Sequence, residues 1–166
     1  MITWNKVYTL EPGFQEAYST MEMWDYILGP IKDLFTNKVV CCPCDSDESK
    51  CVQWLKENTM CSIINFGDQD MNSIEARTEM MLSDYVITDP PFNKEALHPF
   101  VEYLCNHNIK FIILGPYADD LRRLHPDIKE LSTENPSYPF WPSTLIDGTP
   151  HRVRGRIYTN IKERQL

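Results

Sequence analysis

The chain has 166 residues, 42% of them hydrophobic, and a formal net charge of −8. That length and apolar share predict one globular domain with a sizeable core and exclude wholesale disorder. The acidic balance argues against a protein that coats nucleic acid nonspecifically. No apolar run reaches the roughly 18 residues of a membrane span. The stretch Met1 to Lys6 lacks the basic-then-apolar pattern of a secretory signal, so the expected location is cytoplasmic, with no membrane partner.

Residues 1–12 read as a partly buried strand or loop, and Pro12-Gly13 is a break. From Phe14 to Phe35 apolar residues recur in steps of three and four, which predicts a helical stripe. Gly29-Pro30 interrupts it, giving two short helices or a kinked one. Val39 to Cys42 is a short continuous apolar run, the mark of a buried parallel strand. A turn over 43–49 follows, then a helix to about Asn58 with Asp45 or Ser46 as its cap and acids in its first turn. Met60 to Phe66 is a second strand, ending at an acidic turn over 67–70. Ile74 to Leu82 is helical, Ser83 to Thr88 a third strand, Glu95 to Asn106 a helix, and Ile109 to Leu114 a fourth strand closed by Gly115-Pro116.

Strand and helix therefore alternate from 39 to about 125. This predicts an α/β fold with a mostly parallel sheet and helices on both faces. Ligands in such sheets bind beyond the carboxyl ends of the strands, so the turns 43–49, 67–70 and 89–92 are expected on one rim. The expected organisation is a single domain: an N-terminal helical segment (1–36), an α/β core (37–125), a Pro- and aromatic-rich loop (132–151) and a last, antiparallel strand (152–161). The loop, with Tyr138, Phe140 and Trp141, either packs on the core or touches a substrate.

Six cysteines without a secretory signal are expected to be reduced. Cys41-x-x-Cys44 followed by Cys51 has no second paired half and no His pair, so no metal is predicted, and Cys41 and Cys42 read as small hydrophobes ending a strand. Residues 151–166 carry a local charge of +4 on a body of −12. Arg152, Arg154 and Arg156 in that tail are candidate phosphate contacts, or else partners of the chain's own acids. His98, His107, His125 and His151 show no triad or metal spacing and receive no role.

The stretch that carries chemistry is Asp89-Pro90-Pro91-Phe92, at the end of a buried strand. An exocyclic amine is a poor nucleophile because its lone pair is delocalised into the ring. The Asp89 carboxylate and the Pro90 carbonyl, on a backbone stiffened by Pro91, supply two acceptors that draw such an amine toward tetrahedral geometry. Phe92 offers a stacking face for a base flipped out of its duplex, worth on the order of 1–3 kcal/mol. Positive charge developing on nitrogen is stabilised by the adjacent carboxylate. The plain alternative is a turn in which Asp89 satisfies backbone N–H groups.

This corner after a Val-Ile-Thr strand is similar to the amino-methyltransferase signature Asn/Asp/Ser-Pro-Pro-Tyr/Phe/Trp. Over roughly residues 38–161 the chain resembles the EcoRI-type adenine-N6 DNA methyltransferase family, found in phage and mobile DNA. Val39 to Ser49 resembles its Cys-x-Cys-Asp donor turn, and Phe66 to Asp70 imperfectly occupies the place of its Gly-x-Asp-Phe segment. Arg156 to Ile161 resembles its aromatic-Thr-Asn-Leu strand. The resemblance implies a Rossmann-like S-adenosylmethionine-dependent core of reduced size and methylation of adenine N6 in DNA. It implies donor contacts at Pro43, Cys44, Asp45 and Ser49, with Asp68 and Asp70 holding the donor's ribose or adenine edge. Asp45 and Asp47 also fit as plain helix caps. The chain lacks the family's further target-recognition region, which implies a homo-oligomer or a partner subunit for recognition. It also keeps open an inactive or partner-dependent binding subunit, or amine methylation of RNA or of a protein side chain.

Overall fold

The computed structural model describes residues 17–66, 70–131, 140–145 and 150–162, with backbone alone for 17–18, 140–145 and 150–154. Four parallel strands form the centre: β2 (Val39–Cys42), β3 (Ser62–Asn65), β4 (Tyr85–Thr88) and β5 (Phe111–Pro116). With β1 (Ala17–Ser19), β6 (Lys129–Glu130), β7 (Phe140–Leu145) and β8 (Pro150–Thr159) they make an eight-stranded sheet in the order β1-β7-β8-β5-β4-β2-β3, with β6 on β8. β8 runs antiparallel to β5, Ile113 facing Tyr158, and β7 runs antiparallel to β8. This is the Rossmann-like α/β architecture of small size that the sequence predicts, its central strands parallel and its β8 side antiparallel.

Side chains alternate across the central strands and build two cores, because successive Cβ atoms of a strand point to opposite faces. Val40, Cys42, Tyr85, Ile87, Ile112 and Leu114 face one side, with Trp24 and Leu28 of α1 (Met21–Leu28) and Trp54 and Leu55 of α2 (Lys50–Asn58). Cys41, Val86, Phe111 and Ile113 face the other, with Met80 of α3 (Ile74–Leu82) and Leu97, Val101 and Leu104 of α4 (Lys94–Asn106). Helices thus cover both faces. All four residues of β4 are buried, as befits a strand inside the sheet.

Three expectations change. The N-terminal stripe is not helical throughout: Ala17–Ser19 pairs with β7, and the helix begins only after Thr20, whose side chain accepts the N–H of Met23. Gly29–Phe35 then continues as a 3₁₀ helix with Pro30 in its first turn, matching the predicted break. The cap of α2 is Ser49, and no acid lies in its first turn, because 43–48 are used to cross from strand to helix. Within the expected loop 132–151, residues Phe140–Leu145 form β7, and the last strand starts at Pro150. Pro142 made this stretch read as a loop, since proline removes a ladder donor. β1 pairs β7 only as far as Ser143, one residue short of Pro142, so no donor is required on that side. Tyr138 lies outside the described residues, as do the side chains of Phe140 and Trp141.

Candidate active site

β2 and β4 are neighbours and end together, so the turn from Pro43 and the corner at Asp89 start side by side. What joins them is a pair of buried polar residues. Thr88, the last residue of β4, is fully buried, and its hydroxyl donates to Asp45 Oδ2 at 2.5 Å. The Thr88 hydroxyl oxygen in turn accepts the N–H of Cys44 at 3.1 Å. Asp45 is 4% exposed and also accepts from the Ser49 hydroxyl and the Asp89 backbone N–H. Ser49 Oγ in turn accepts the N–H of Ser46 at 2.9 Å. Burial, with the nearby Asp89 charge, pushes the Asp45 carboxyl up to about 7, against the pull of its hydrogen bonds.

Asp89 is partly buried and is held from the other side. Ser19, at the end of β1, stands beside it as a polar neighbour that favours the ionised carboxylate. Trp24 of α1 donates its indole N–H to Ser19 Oγ at 2.8 Å. Burial pushes Asp89 up to about 6, with Ser19 opposing it. After Asp89 the corner is rigid: Pro90 is buried, Pro91 and Phe92 are partly buried, and Asn93 caps α4 by accepting the N–H of Ala96 at 2.9 Å. Phe92 packs against the core beside Gly155 of β8, where a Cβ would lie 3.7 Å from its ring and 2.7 Å from the Gly115 carbonyl.

The structure thus brings together Asp89, Pro90, Pro91 and Phe92 with Pro43, Cys44, Asp45 and Ser49. Pro43 is buried, and the Cys44 thiol contacts Met71 Sδ at 3.3 Å. Asp70 is exposed and caps the next turn, accepting the N–H of Asn72 at 2.8 Å. Asp68 lies outside the described residues. Arg156 is engaged within the chain: it pairs with Glu130 at 2.9 Å and stacks on the Tyr117 ring 4.1 Å away. The side chains of Arg152 and Arg154 lie outside the described residues.

Two of the residues that build the site escaped the sequence reading. Thr88 had a legible signal, since a hydroxyl in an otherwise aliphatic buried strand must find a partner. Ser19 had none, being 70 positions from Asp89 and brought there only by the pairing of β1 with β7.

A further donor set lies beneath this rim. Cys42, Asp45 and Cys51 are all buried, with ligand atoms within 4.8 Å of one another. Burial raises both thiols above their usual range, at Cys42 against the lowering effect of its hydrogen bond with Cys51, so without a cation they stand as neutral, packed groups. The Asp45 oxygens are already occupied by Thr88, Ser49 and Asp89.

The rim is rich in acids: Asp45, Asp47 and Glu48 follow β2, Asp70 follows β3 and Asp89 follows β4. No protein-family model matches the sequence, and no curated protein matches it. Among solved structures the chain is similar to a protein-(glutamine-N5) methyltransferase (release factor-specific) from Alicyclobacillus acidocaldarius subsp. acidocaldarius DSM 446. The two share 13% identity at a TM-score of 0.44, over 83% of this chain and 85% of that one.

Proposed function

We propose that this protein is an S-adenosylmethionine-dependent methyltransferase acting on the N6 amine of adenine in DNA. The observation that carries the reading is the corner Asp89-Pro90-Pro91-Phe92 at the carboxyl end of β4, tied through Thr88 and Asp45 to the turn that ends β2. The donor, when bound, supplies an electrophilic methyl group on a sulfonium. Pro43, Cys44 and the 46–49 stretch line the turn that would hold it, and Asp70 stands at the next strand end. Asp45 fixes the turn from beneath through its bond from Thr88. At the corner, the Asp89 carboxylate and the Pro90 carbonyl accept the two amine hydrogens and bring the nitrogen lone pair out of the ring plane. Asp89 then stabilises the charge that develops on nitrogen and takes the proton the amine sheds. Phe92, seated on Gly155, stacks the base.

A second reading keeps the chemistry and changes the acceptor to an amide or amine of a protein side chain. What favours it is the acidity of the rim, together with the engagement of Arg156 by Glu130, which withdraws one cation from phosphate binding. One assay separates the readings: transfer of labelled methyl to duplex DNA, to RNA and to a mixed protein acceptor, alongside donor binding by calorimetry. Label in DNA, lost on Asp89 substitution, supports the first reading. Label confined to protein supports the second. Donor binding without label in any acceptor leaves a binding subunit and contradicts both.

A further inference from the structure

Methyl transfer needs two partners held at one distance, and here they belong to turns that leave different strands. We infer that Thr88 is a positioning residue: its hydroxyl stands in for the ladder rung that Pro43 denies to β2, and so holds the donor turn at a fixed place against the Asp89 corner. The consequence for catalysis rests on the methyltransferase reading, whereas the bridge itself rests on the following geometry.

β2 and β4 run in parallel register, Val40 facing Tyr85 and Cys41 facing Val86. The ladder cannot continue by backbone alone, because Pro43 carries no N–H. The next N–H along β2, that of Cys44, goes instead to the Thr88 side chain at 3.1 Å, across 44 positions of sequence. A backbone N–H can only donate, so the hydroxyl accepts this bond and its own proton is directed to Asp45 Oδ2 at 2.5 Å. One hydroxyl therefore grips the turn twice, by the backbone of Cys44 and by the side chain of Asp45.

The grip is stiff for two reasons. Thr88 is fully buried and Asp45 is 4% exposed, so water does not compete freely for either group. Threonine is branched at Cβ and restricted at χ1, so the direction of its hydroxyl follows from the backbone of β4. That backbone runs directly into Asp89, and the donor turn and the acceptor corner are thereby both referred to one residue. Reacting atoms must come within about 3–3.5 Å, and a misplacement of about 1 Å can cost roughly 100-fold in rate. Thr88 acts on transfer only through Cys44, Asp45 and Asp89.

The test uses the full chain with Thr88→Val, which keeps the shape and deletes the hydroxyl, Thr88→Ser, which keeps the hydroxyl, Asp45→Asn, and the double variant Thr88→Val with Asp45→Asn. Exchange of the Cys44 amide hydrogen reads the bridge itself. Single-turnover transfer of labelled methyl at saturating donor and DNA reads its consequence. Thr88→Val is expected to speed Cys44 exchange about tenfold or more and to lower the transfer rate constant about tenfold or more, with Thr88→Ser restoring both. A variant that is merely less stable loses amplitude, since fewer molecules are folded, and keeps the rate constant. The double variant should lose little more than the worse single one, because both changes act on the same bond. Should Thr88→Val fail to fold, Thr88→Ala is read in its place. Unchanged Cys44 exchange overturns the inference, and so does a native rate constant alongside faster exchange. A native protein that transfers no methyl to any acceptor contradicts the methyltransferase reading instead. Exchange alone then decides the bridge, upheld if Cys44 exchanges faster without the hydroxyl and overturned if it does not.

Discussion

At the scale of single residues, the site is a set of hydroxyls with their directions already decided. Cys44 N–H feeds Thr88, Ser46 N–H feeds Ser49, and Trp24 Nε1–H feeds Ser19. The Thr88 hydroxyl then donates to Asp45, while Ser49 favours the ionised form of Asp45 and Ser19 that of Asp89. Even so, burial leaves these acids at about 7 and about 6, above the roughly 3.9 of an aspartate in an unfolded chain. The folded state therefore holds protons that the unfolded chain releases. The resulting stability is fully present below about pH 4 and is lost as pH rises through 6 and 7, on the order of a few kcal/mol between the two groups. Asp119 and Asp120 behave oppositely, since Arg123 and Arg122 beside them hold their carboxyls low, and they act below that window. Urea unfolding should therefore show a free energy that declines from pH 5 to pH 8. Asp45→Asn should flatten most of that decline, and a free energy that rises over this interval would contradict the assignment.

At the scale of elements, the strands that carry the site were legible and the ones that close it were not. Val39 to Cys42 and Tyr85 to Thr88 announce themselves as apolar runs bounded by turn residues, and both are parallel strands with their acidic turns on one rim. The α3 helix falls at Ile74–Leu82 as its pattern predicts. β1 and β7 were hidden, because three residues are too few for a period and Pro142 breaks the appearance of a strand. Ser19 could not have been paired with Asp89 without them. Glycine placement was equally silent in sequence. Gly115 lies where a Cβ would meet the Tyr158 ring at 2.6 Å, and Gly155 where a Cβ would meet the Gly115 carbonyl at 2.7 Å. The second contact is with backbone, so β5 and β8 must part for it to be relieved. Gly155→Ala is expected to cost about 1–3 kcal/mol, seen as a lowered Tm, and to disturb the seat of Phe92. An unchanged Tm would show that the β5–β8 ladder is looser than its register implies.

At the scale of the whole molecule, charge is sorted along the sheet. Acids gather at the carboxyl ends of the parallel strands, whereas a groove of about 280 Å³ at the opposite ends, beside Tyr85, is lined by Lys38 and Lys110 with Asp84 between them in sequence. An acidic rim attracts a cationic donor and repels phosphates, so a DNA substrate requires cations from elsewhere in the chain, and Arg152 and Arg154 are the sequence's offer. If they meet phosphates, replacing both by Ala should weaken DNA binding and reduce the slope of log Kd against log salt by roughly 2. Arg156→Ala should instead lower stability by removing the nearer of Glu130's two arginine partners, Arg122 at 4.0 Å being the other, and should leave that slope nearly unchanged, because its guanidinium is already committed to Glu130 and Tyr117. Equal salt slopes for the double variant and the native protein would remove these residues from the interface. The central claim, that Asp89 works on the amine and not on the donor, is tested most directly by Asp89→Asn, compared with the native protein by donor calorimetry and single-turnover transfer of labelled methyl to DNA. The account predicts native-like donor affinity with transfer reduced by about 100-fold or more; transfer at the native rate would contradict it.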